Sequence, residues 1–264
     1  MADFTAKDVQ SLRQATGAGM MDAKKALQEN DGDLEVAKKW LREKGLAKAA
    51  DRTDRDNSQG SVAVAQTATG AAIVELKCET DFVAKSEQFA GLVQEIADLV
   101  AAGGEGAVSQ RQDAIDDLKV TLKENIDLGR VVYVDVADGH TVDTYLHRQD
   151  GRGVNGVIVE LAGGSQELAH DIAVHIAFTK PSCLRREDVP EAEVAEERET
   201  LTNITRAEGK PEAALEKIVS GRLTAWYAER VLLEQKYVKD EKQTIEALLG
   251  DVELVRFAQV VIGS

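Results

Sequence analysis

The sequence has few of the residues that build covalent or metal-linked frameworks. Its 264 residues include two cysteines, Cys78 and Cys183, which stand far apart without a metal-binding spacing. This usage indicates a reducing compartment. No run of about 18 apolar residues occurs, which excludes a membrane-spanning helix. The segment Met1 to Lys7 lacks the charged-then-apolar pattern of a signal peptide. We therefore expect a cytoplasmic protein that makes no membrane contact.

Positive charge is also scarce. The chain has 32 Lys and Arg residues against 47 Asp and Glu residues, which gives a formal charge of -15. An acidic chain repels phosphate backbones, so we expect no direct binding to nucleic acid. The charge keeps the chain soluble and can also steer it towards a basic partner surface. The apolar fraction of 43% is that of a globular protein, and the length suffices for two or three compact units.

Catalytic machinery is missing from the motifs. Of the four histidines, His170 and His175 lie five apart on one predicted helix, a spacing unsuited to a shared metal ion. The glycine-rich stretch 103–106 lacks the Lys-Ser/Thr of a phosphate loop. Residues 16–19 join two helices rather than a strand and a helix, which excludes a dinucleotide site. No histidine is locally tied to Cys78, so a cysteine nucleophile is not indicated. We expect no enzymatic activity, metal or cofactor.

The first 46 residues carry the pattern of a small three-helix module. Thr5 is a predicted N-cap, and Thr16-Gly17-Ala18-Gly19 forms the first turn. A second helix ends near Asn30-Asp31-Gly32, and Asp33 caps a third that we expect to stop at Gly45. Such a module resembles a ubiquitin-associated domain.

From Ser61 the apolar period changes to that of strands. Expected elements are a hairpin (62–65 with 73–76), helices from 83–85 to about 102 and from 110 to 125, a second hairpin (131–136 with 141–146, turning at Asp138-Gly139), and a strand at 154–161. Ile73-Val74-Glu75-Leu76 recurs as Ile158-Val159-Glu160-Leu161, and an amphipathic helix follows each copy. We infer two related subdomains.

The C-terminal part is predicted to hold a helical hairpin that projects from the body. Gly209-Lys210-Pro211 separates its two helices, a short helix covers Thr244 to Leu249, and a last strand, Val252 to Ile262, should join the second sheet. The fold class is therefore α+β. Its segments are a helical module (1–46), a linker (47–60), core subdomain N (61–139), core subdomain C in two parts (140–188 and 228–264) and the hairpin (189–227).

One junction stands out because the two copies differ there. Twelve residues separate Leu76 from Phe89 (89 - 76 - 1), whereas six separate Leu161 from Leu168 (168 - 161 - 1). The longer junction holds Cys78-Glu79-Thr80-Asp81-Phe82-Val83. It has a purely structural interpretation, in which Thr80 or Asp81 caps the next helix and Phe82 is an ordinary core aromatic.

The motifs together resemble the bacterial elongation factor Ts family over nearly the whole chain. The matching stretches are Thr-Gly-Ala-Gly-Met-Met-Asp at 16–22, Thr-Asp-Phe-Val at 80–83, Thr-Tyr-Leu-His at 144–147 and Ala-Phe-Thr-Lys-Pro at 177–181. The chain stops at Ser264 without the further helical module of some relatives, so we expect no contact from such a module.

The resemblance implies a guanine-nucleotide exchange factor. Such a protein would bind elongation factor Tu, both GDP-bound and nucleotide-free, and promote GDP release by disturbing its Mg²⁺ site. The implied residues for Mg²⁺ displacement are Thr80, Asp81, Phe82 and Val83. Those implied for partner binding are His147, Gly17, Gly19, Met20 and Met21. The alternative is a non-catalytic adaptor or chaperone-like protein that uses the ubiquitin-associated-like module.

Overall fold

The computed structural model describes residues 4–263. The first three residues of the predicted module and Ser264 of the last predicted segment lie outside this range. The α-helices are α1 (Ala6–Thr16), α2 (Met20–Glu29), α3 (Leu34–Ala50), α4 (Asp81–Ala84), α5 (Glu87–Gly103), α6 (Gln112–Leu122), α7 (Gln166–Thr179), α8 (Glu191–Ala207), α9 (Glu212–Arg230) and α10 (Ile245–Leu249). The strands are β1 (Gln59–Gln66), β2 (Gly70–Cys78), β3 (Asp127–Asp135), β4 (His140–Gln149), β5 (Arg152–Ala162), β6 (Lys236–Tyr237), β7 (Asp240–Thr244) and β8 (Glu253–Val261). The α+β fold class is confirmed.

The first three helices form the predicted module. Thr5 caps α1 and exchanges hydrogen bonds with Asp8 in a capping box, while Asp33 caps α3 by accepting from the amides of Glu35 and Val36. The module has an apolar core of its own, made by Val9, Leu12, Ala23, Ala26, Leu27, Ala37 and Leu41. It can therefore be ordered largely by its own residues.

The expected stop of α3 at Gly45 is wrong, because the helix continues to Ala50. A Cβ at Gly45 would lie 2.5 Å from Cγ1 of Val120 on α6. The glycine therefore lets two helices approach closely, and it does not end one. Tertiary packing here overrides the weak intrinsic preference of glycine against helices.

The first sheet has the order β1-β2-β3, and its neighbouring strands are antiparallel. Helix α5 covers it with the buried side chains Phe89, Val93, Ile96 and Val100. The predicted hairpin of residues 131–136 with 141–146 is wrong, because β3 pairs with β2 whereas β4 joins a second sheet of order β4-β5-β8. The turn at Asp138-Gly139 thus leads from one sheet to the other. The last strand joins the second sheet as predicted.

The internal repeat occupies equivalent positions. Each copy lies on the middle strand of its sheet, β2 or β5, and its glutamate is buried: Glu75 is 2% exposed and Glu160 is 1% exposed. Glu75 accepts from the amide of Arg130 on β3, and Glu160 is bound by His140 and Arg256. Burial alone would raise the pKa of Glu160, but the hydrogen bonds from His140 and Arg256 outweigh it, so that the pKa lies below its ordinary value. Two buried carboxylates therefore support the prediction of related subdomains.

Other boundaries differ from the predicted ones. The helix expected from 83–85 to 102 is two helices, because Ser86 interrupts it and caps α5 through the amide of Phe89. Helix α6 ends at Leu122 instead of 125, and Lys123 follows with a φ of 59°. The second hairpin helix reaches Arg230 instead of 227, and the short strands β6 and β7 are unpredicted. Within helices α8 and α9 only Thr205, Leu215, Val219 and Leu223 are buried, which matches a narrow apolar seam.

The chain divides into two compact units. The first takes the chain up to Asp135, together with Leu146–Gly156 and the residues from Val260 onwards. The second takes Val136–Tyr145 and Val157–Gln259. The finer division into six segments stays a prediction. All nine residues predicted for Mg²⁺ displacement or partner binding belong to the first unit.

Candidate functional site

The Thr80–Val83 loop connects β2 to α5 and contains the single turn α4. Thr80 caps this turn: its backbone is extended and its hydroxyl accepts from the Val83 amide at 3.3 Å. The structural interpretation is thus correct for Thr80. It is wrong for Phe82, whose side chain is 82% exposed, whereas Val83 is half-buried and packs on the core of the first sheet. The loop is fixed on one side and presents an apolar ring on the other.

Hydrogen bonds from a distant part of the chain hold the loop. The carboxylate of Glu124 accepts from the amides of Glu79 and Thr80 at 3.0 and 3.1 Å, and from the Thr80 hydroxyl at 2.6 Å. Glu79 in turn accepts from the Asn125 amide at 2.7 Å. No local sequence pattern marks Glu124, because its partners lie 44 and 45 residues away in the chain.

Asp81 forms an ion pair with Lys85, which directly follows α4. Its carboxylate lies 2.6 Å from Nζ of Lys85, which also lies 3.7 Å from a carboxylate oxygen of Asp150 in the turn between β4 and β5. The hydrogen bond from Lys85 lowers the pKa of Asp81, so Asp81 stays ionised. Lys85 therefore has a second carboxylate within reach if Asp81 turns away from it.

Cys78 is excluded as a nucleophile. Its side chain is fully buried, and its thiol donates to the carbonyl of Thr80 at 3.2 Å. Burial raises the pKa of Cys78 to about 12, which keeps the sulfur protonated. Among residues 4–263 no group of three or more His, Cys, Asp or Glu side chains could hold a metal ion.

The other predicted binding residues are exposed. His147 is exposed on β4, three residues before Asp150, and its side chain makes no hydrogen bond or ion pair within residues 4–263. Gly17 and Gly19 form the turn between α1 and α2, where Gly17 has a φ of 64° that favours glycine. Met20 is 50% exposed and Met21 is 75% exposed. The two methionines therefore present apolar side-chain surface to solvent.

Residues 121–124, at the end of α6, contact both the turn at Gly17 and the Thr80–Val83 loop. Gly17 lies against Thr121, since a Cβ on Gly17 would be 3.4 Å from the Thr121 methyl group, and Glu124 binds the loop three residues further on. Three residues after His147, Asp150 lies 3.7 Å from Lys85, the partner of Asp81. The structure thus collects the module turn and the loop around the end of α6.

Comparison with known proteins settles the family. A family model described as Elongation factor TS matches residues 79–264, a range that starts at the Glu79 beside the loop. The protein named Elongation factor Ts from Leifsonia xyli subsp. xyli is 43% identical over 279 residues, covering 100% of both chains. The protein of the same name from Deinococcus deserti is 39% identical over 268 residues, covering 98% of this chain and 99% of the relative.

The chain belongs to the elongation factor Ts family. A member of the elongation factor Ts family serves translation elongation as the nucleotide exchange factor of elongation factor Tu. The adaptor alternative is not favoured, because the similarity extends over the full chain rather than over the helical module alone. No helix in the described range is long and apolar enough to cross a membrane.

Proposed function

We propose that the chain binds elongation factor Tu in its GDP-bound and nucleotide-free forms, and that the Thr80–Val83 loop displaces Mg²⁺ to release GDP. The observation that carries this proposal is the 82% exposure of Phe82 in a loop that is otherwise capped and hydrogen-bonded. Burying a phenylalanine side chain stabilises a complex by about 1.5–3 kcal/mol. A fixed, exposed ring is suited to entering a partner.

The energetic logic is negative coupling between two ligands of one protein. If the factor and GDP-Mg²⁺ each weaken the binding of the other, the factor speeds GDP release without making or breaking a covalent bond. Mg²⁺ requires near-ideal octahedral oxygen geometry, so a small shift of its ligands weakens it strongly. We therefore infer a binding protein with neither enzymatic activity nor a cofactor, acting in the cytoplasm where translation proceeds.

Asp81 has a separate role in this proposal. It is ionised and competes for hydrogen-bond donors near the Mg²⁺ site of the partner, for which it must leave Lys85. Exposed ion pairs contribute little, so this separation costs little, and Asp150 can retain Lys85 afterwards. His147, Gly17, Gly19, Met20 and Met21 supply further contact area that holds the factor on its partner.

The test is the release of a fluorescent GDP analogue from elongation factor Tu. Phe82→Ala should leave thermal stability almost unchanged, because an exposed side chain contributes within about 0.5 kcal/mol. It should slow accelerated release roughly thirtyfold, which corresponds to about 2 kcal/mol. Phe178→Ala is the matched control, since Phe178 is 78% exposed on α7 outside the proposed site. Normal release by a folded Phe82→Ala variant would refute the role of the ring.

Asp81→Ala separates the Mg²⁺ step from the role of the ring. Its defect should be clear with Mg²⁺ present and should shrink when Mg²⁺ is chelated, because the displacement that Asp81 drives has then already occurred. A defect of equal size under both conditions would contradict Mg²⁺ displacement and leave the role of Phe82 intact.

A further inference from the structure

The position of the Thr80–Val83 loop depends on support from outside the loop. Helix α4 has four residues, and an isolated helix of that length is not stable in water. Phe82 contributes almost no packing because it is 82% exposed. Locally, the Thr80 cap closes the single turn of α4, and Val83 and Ala84 pack on the core of the first sheet. The backbone amides of Glu79 and Thr80, which lead into α4, are held instead by a residue from outside the loop.

Glu124 supplies such contacts. It accepts three hydrogen bonds from Glu79 and Thr80, between 2.6 and 3.1 Å long. Hydrogen bonds to an ionised carboxylate are roughly twice as strong as neutral ones. The Thr80 hydroxyl donates to Glu124 and accepts from the Val83 amide, so one side chain joins the carboxylate to α4.

The turn that carries Glu124 is itself fixed. Lys123 adopts a left-handed conformation that ends α6, and Asn125 is 6% exposed. The Asn125 amide donates to Glu79, and its side chain donates to the carbonyls of Thr53 and Arg55 at 3.2 and 2.8 Å. Glu124 is thus held between a helix end and a buried asparagine, which makes it a rigid support.

We propose that Glu124 is a positioning residue for nucleotide exchange. It holds the Thr80–Val83 loop in the orientation that presents Phe82 to elongation factor Tu, without touching the partner's nucleotide. The inference rests on the proposed function of the loop. Without this support the loop can shift, so that Phe82 and Asp81 no longer reach the partner's Mg²⁺ site. The factor and GDP then weaken each other's binding less.

The measurement is the ratio of two dissociation constants, one for GDP-bound and one for nucleotide-free elongation factor Tu. Glu124→Ala should lower this ratio about tenfold, within the usual range of coupling between sites. Glu124→Gln keeps one acceptor oxygen, so its ratio should lie between those of Glu124→Ala and the wild type. Glu95→Gln is the matched control, because Glu95 is exposed and pairs with Arg111 away from the loop. It should leave the ratio within about twofold, since surface substitutions of this kind have small effects.

A double-mutant cycle tests whether Glu124 acts through Thr80. Thr80→Val removes the hydroxyl and should lower the ratio by itself. Because the two side chains share a hydrogen bond, the double variant with Glu124→Ala should lose less than the product of the single losses. Fully multiplicative losses would contradict action through Thr80.

Amide hydrogen exchange distinguishes positioning from general destabilisation. In Glu124→Ala the amides of Glu79 and Thr80 should exchange faster, while those of β2 keep their protection. Loss of protection throughout β2 would show a merely structural role and overturn the proposal. An unchanged ratio in Glu124→Ala, when Phe82→Ala lowers it, would overturn this inference alone. Normal ratios in both variants would refute the function proposed for the loop.

Discussion

Phe82 and Phe89 are seven residues apart and have opposite environments. Phe82 is 82% exposed, whereas Phe89 is fully buried on α5. In one continuous helix a spacing of seven would put both rings on the same face. Ser86 ends that continuity by capping α5, so the two rings can point in different directions. The break in the helix therefore allows Phe82 to be exposed while Phe89 is buried.

Individual residues were predictable where their partners are close in sequence. Thr80, Thr5 and Asp33 were all expected as caps, because a cap and its amides lie within three residues. Glu124 was not predictable, since no local pattern marks a carboxylate that binds a loop 44 residues away. The exposure of Phe82 was expected from the family resemblance, whereas the local pattern also allowed a core position.

His175 provides a prediction on pH. It is fully buried; its Nδ1 accepts from the Val238 amide at 3.3 Å, and Nε2 donates to the side-chain oxygen of Gln235 at 3.0 Å. In the neutral ring both nitrogens are hydrogen-bonded. Burial lowers the pKa of His175, although the hydrogen bond to Gln235 acts in the opposite direction. The unfolded chain therefore binds more protons, so stability falls as pH drops through about 6.5 and levels off below the lowered folded pKa.

The measurement is the free energy of unfolding between pH 8 and pH 5. His175→Gln should make this profile shallower, by up to about 1.4 kcal/mol per pH unit, which is the slope for one proton. His147→Gln is the control, because the exposed His147 side chain has no hydrogen bond or ion pair within residues 4–263. An unchanged profile in His175→Gln would contradict a neutral buried ring.

The sequence predicted where helices and strands occur better than it predicted which strands pair or where the elements end. The apolar period located β3 and β4, but it carries no information on which strand each one pairs with, so the hairpin was wrong. Gly45 was predicted to stop the helix because glycine often ends helices. Its contact with Val120, 75 residues away (120 - 45), has no signal in the local sequence. The polar strands β6 and β7 lack the apolar alternation that would reveal them.

Gly45 also yields a prediction about the contact of α3 with α6. Gly45→Ala gains about 1 kcal/mol of helix propensity, but its methyl group meets Val120. Overpacking costs about 1–3 kcal/mol, so we expect net destabilisation in thermal unfolding. Gly91→Ala is the matched control, because Gly91 lies in α5 with open space around its Cβ position, and it should stabilise. If Val120→Ala fails to rescue Gly45→Ala, the steric explanation is wrong.

At the scale of the whole molecule, the repeat was predictable and the path of the chain was not. The recurring Ile-Val-Glu-Leu located the middle strands of both sheets. It did not reveal that Leu146–Gly156 and the residues from Val260 return to the first unit. These segments join the first unit through long-range contacts, and long-range contacts leave no local pattern in a single sequence.

We expect the rest of the chain to fold without the N-terminal helical module but to bind elongation factor Tu more weakly. The module has its own apolar core, and its contacts with α6 include the exposed pair Arg42–Asp113 at 2.7 Å. Because α3 extends to Ala50, the removal should end at Asp51 and keep the contacts of Thr53 and Arg55 with Asn125. The remaining chain should fold and should bind elongation factor Tu at least about tenfold more weakly, because one of two linked contact regions is lost.

Affinity and circular dichroism of the shortened chain test this prediction. The combined variant Met20→Ala, Met21→Ala should reproduce part of the loss in the full chain without changing its stability, since both side chains are exposed. Binding as tight as that of the full chain would contradict a tethering role for the module.

The position of β8 at the edge of the second sheet also determines when that sheet can be completed during synthesis. The last residue of β5, Ala162, and the last residue of β8, Val261, are 99 residues apart (261 - 162). At about 5–20 residues per second, the ribosome needs roughly 5–20 s to cover that distance. During this time the apolar middle strand β5 has one open edge, which is a template for pairing with other chains. We therefore expect the β5 edge to stay open to such pairing until β8 has been synthesised.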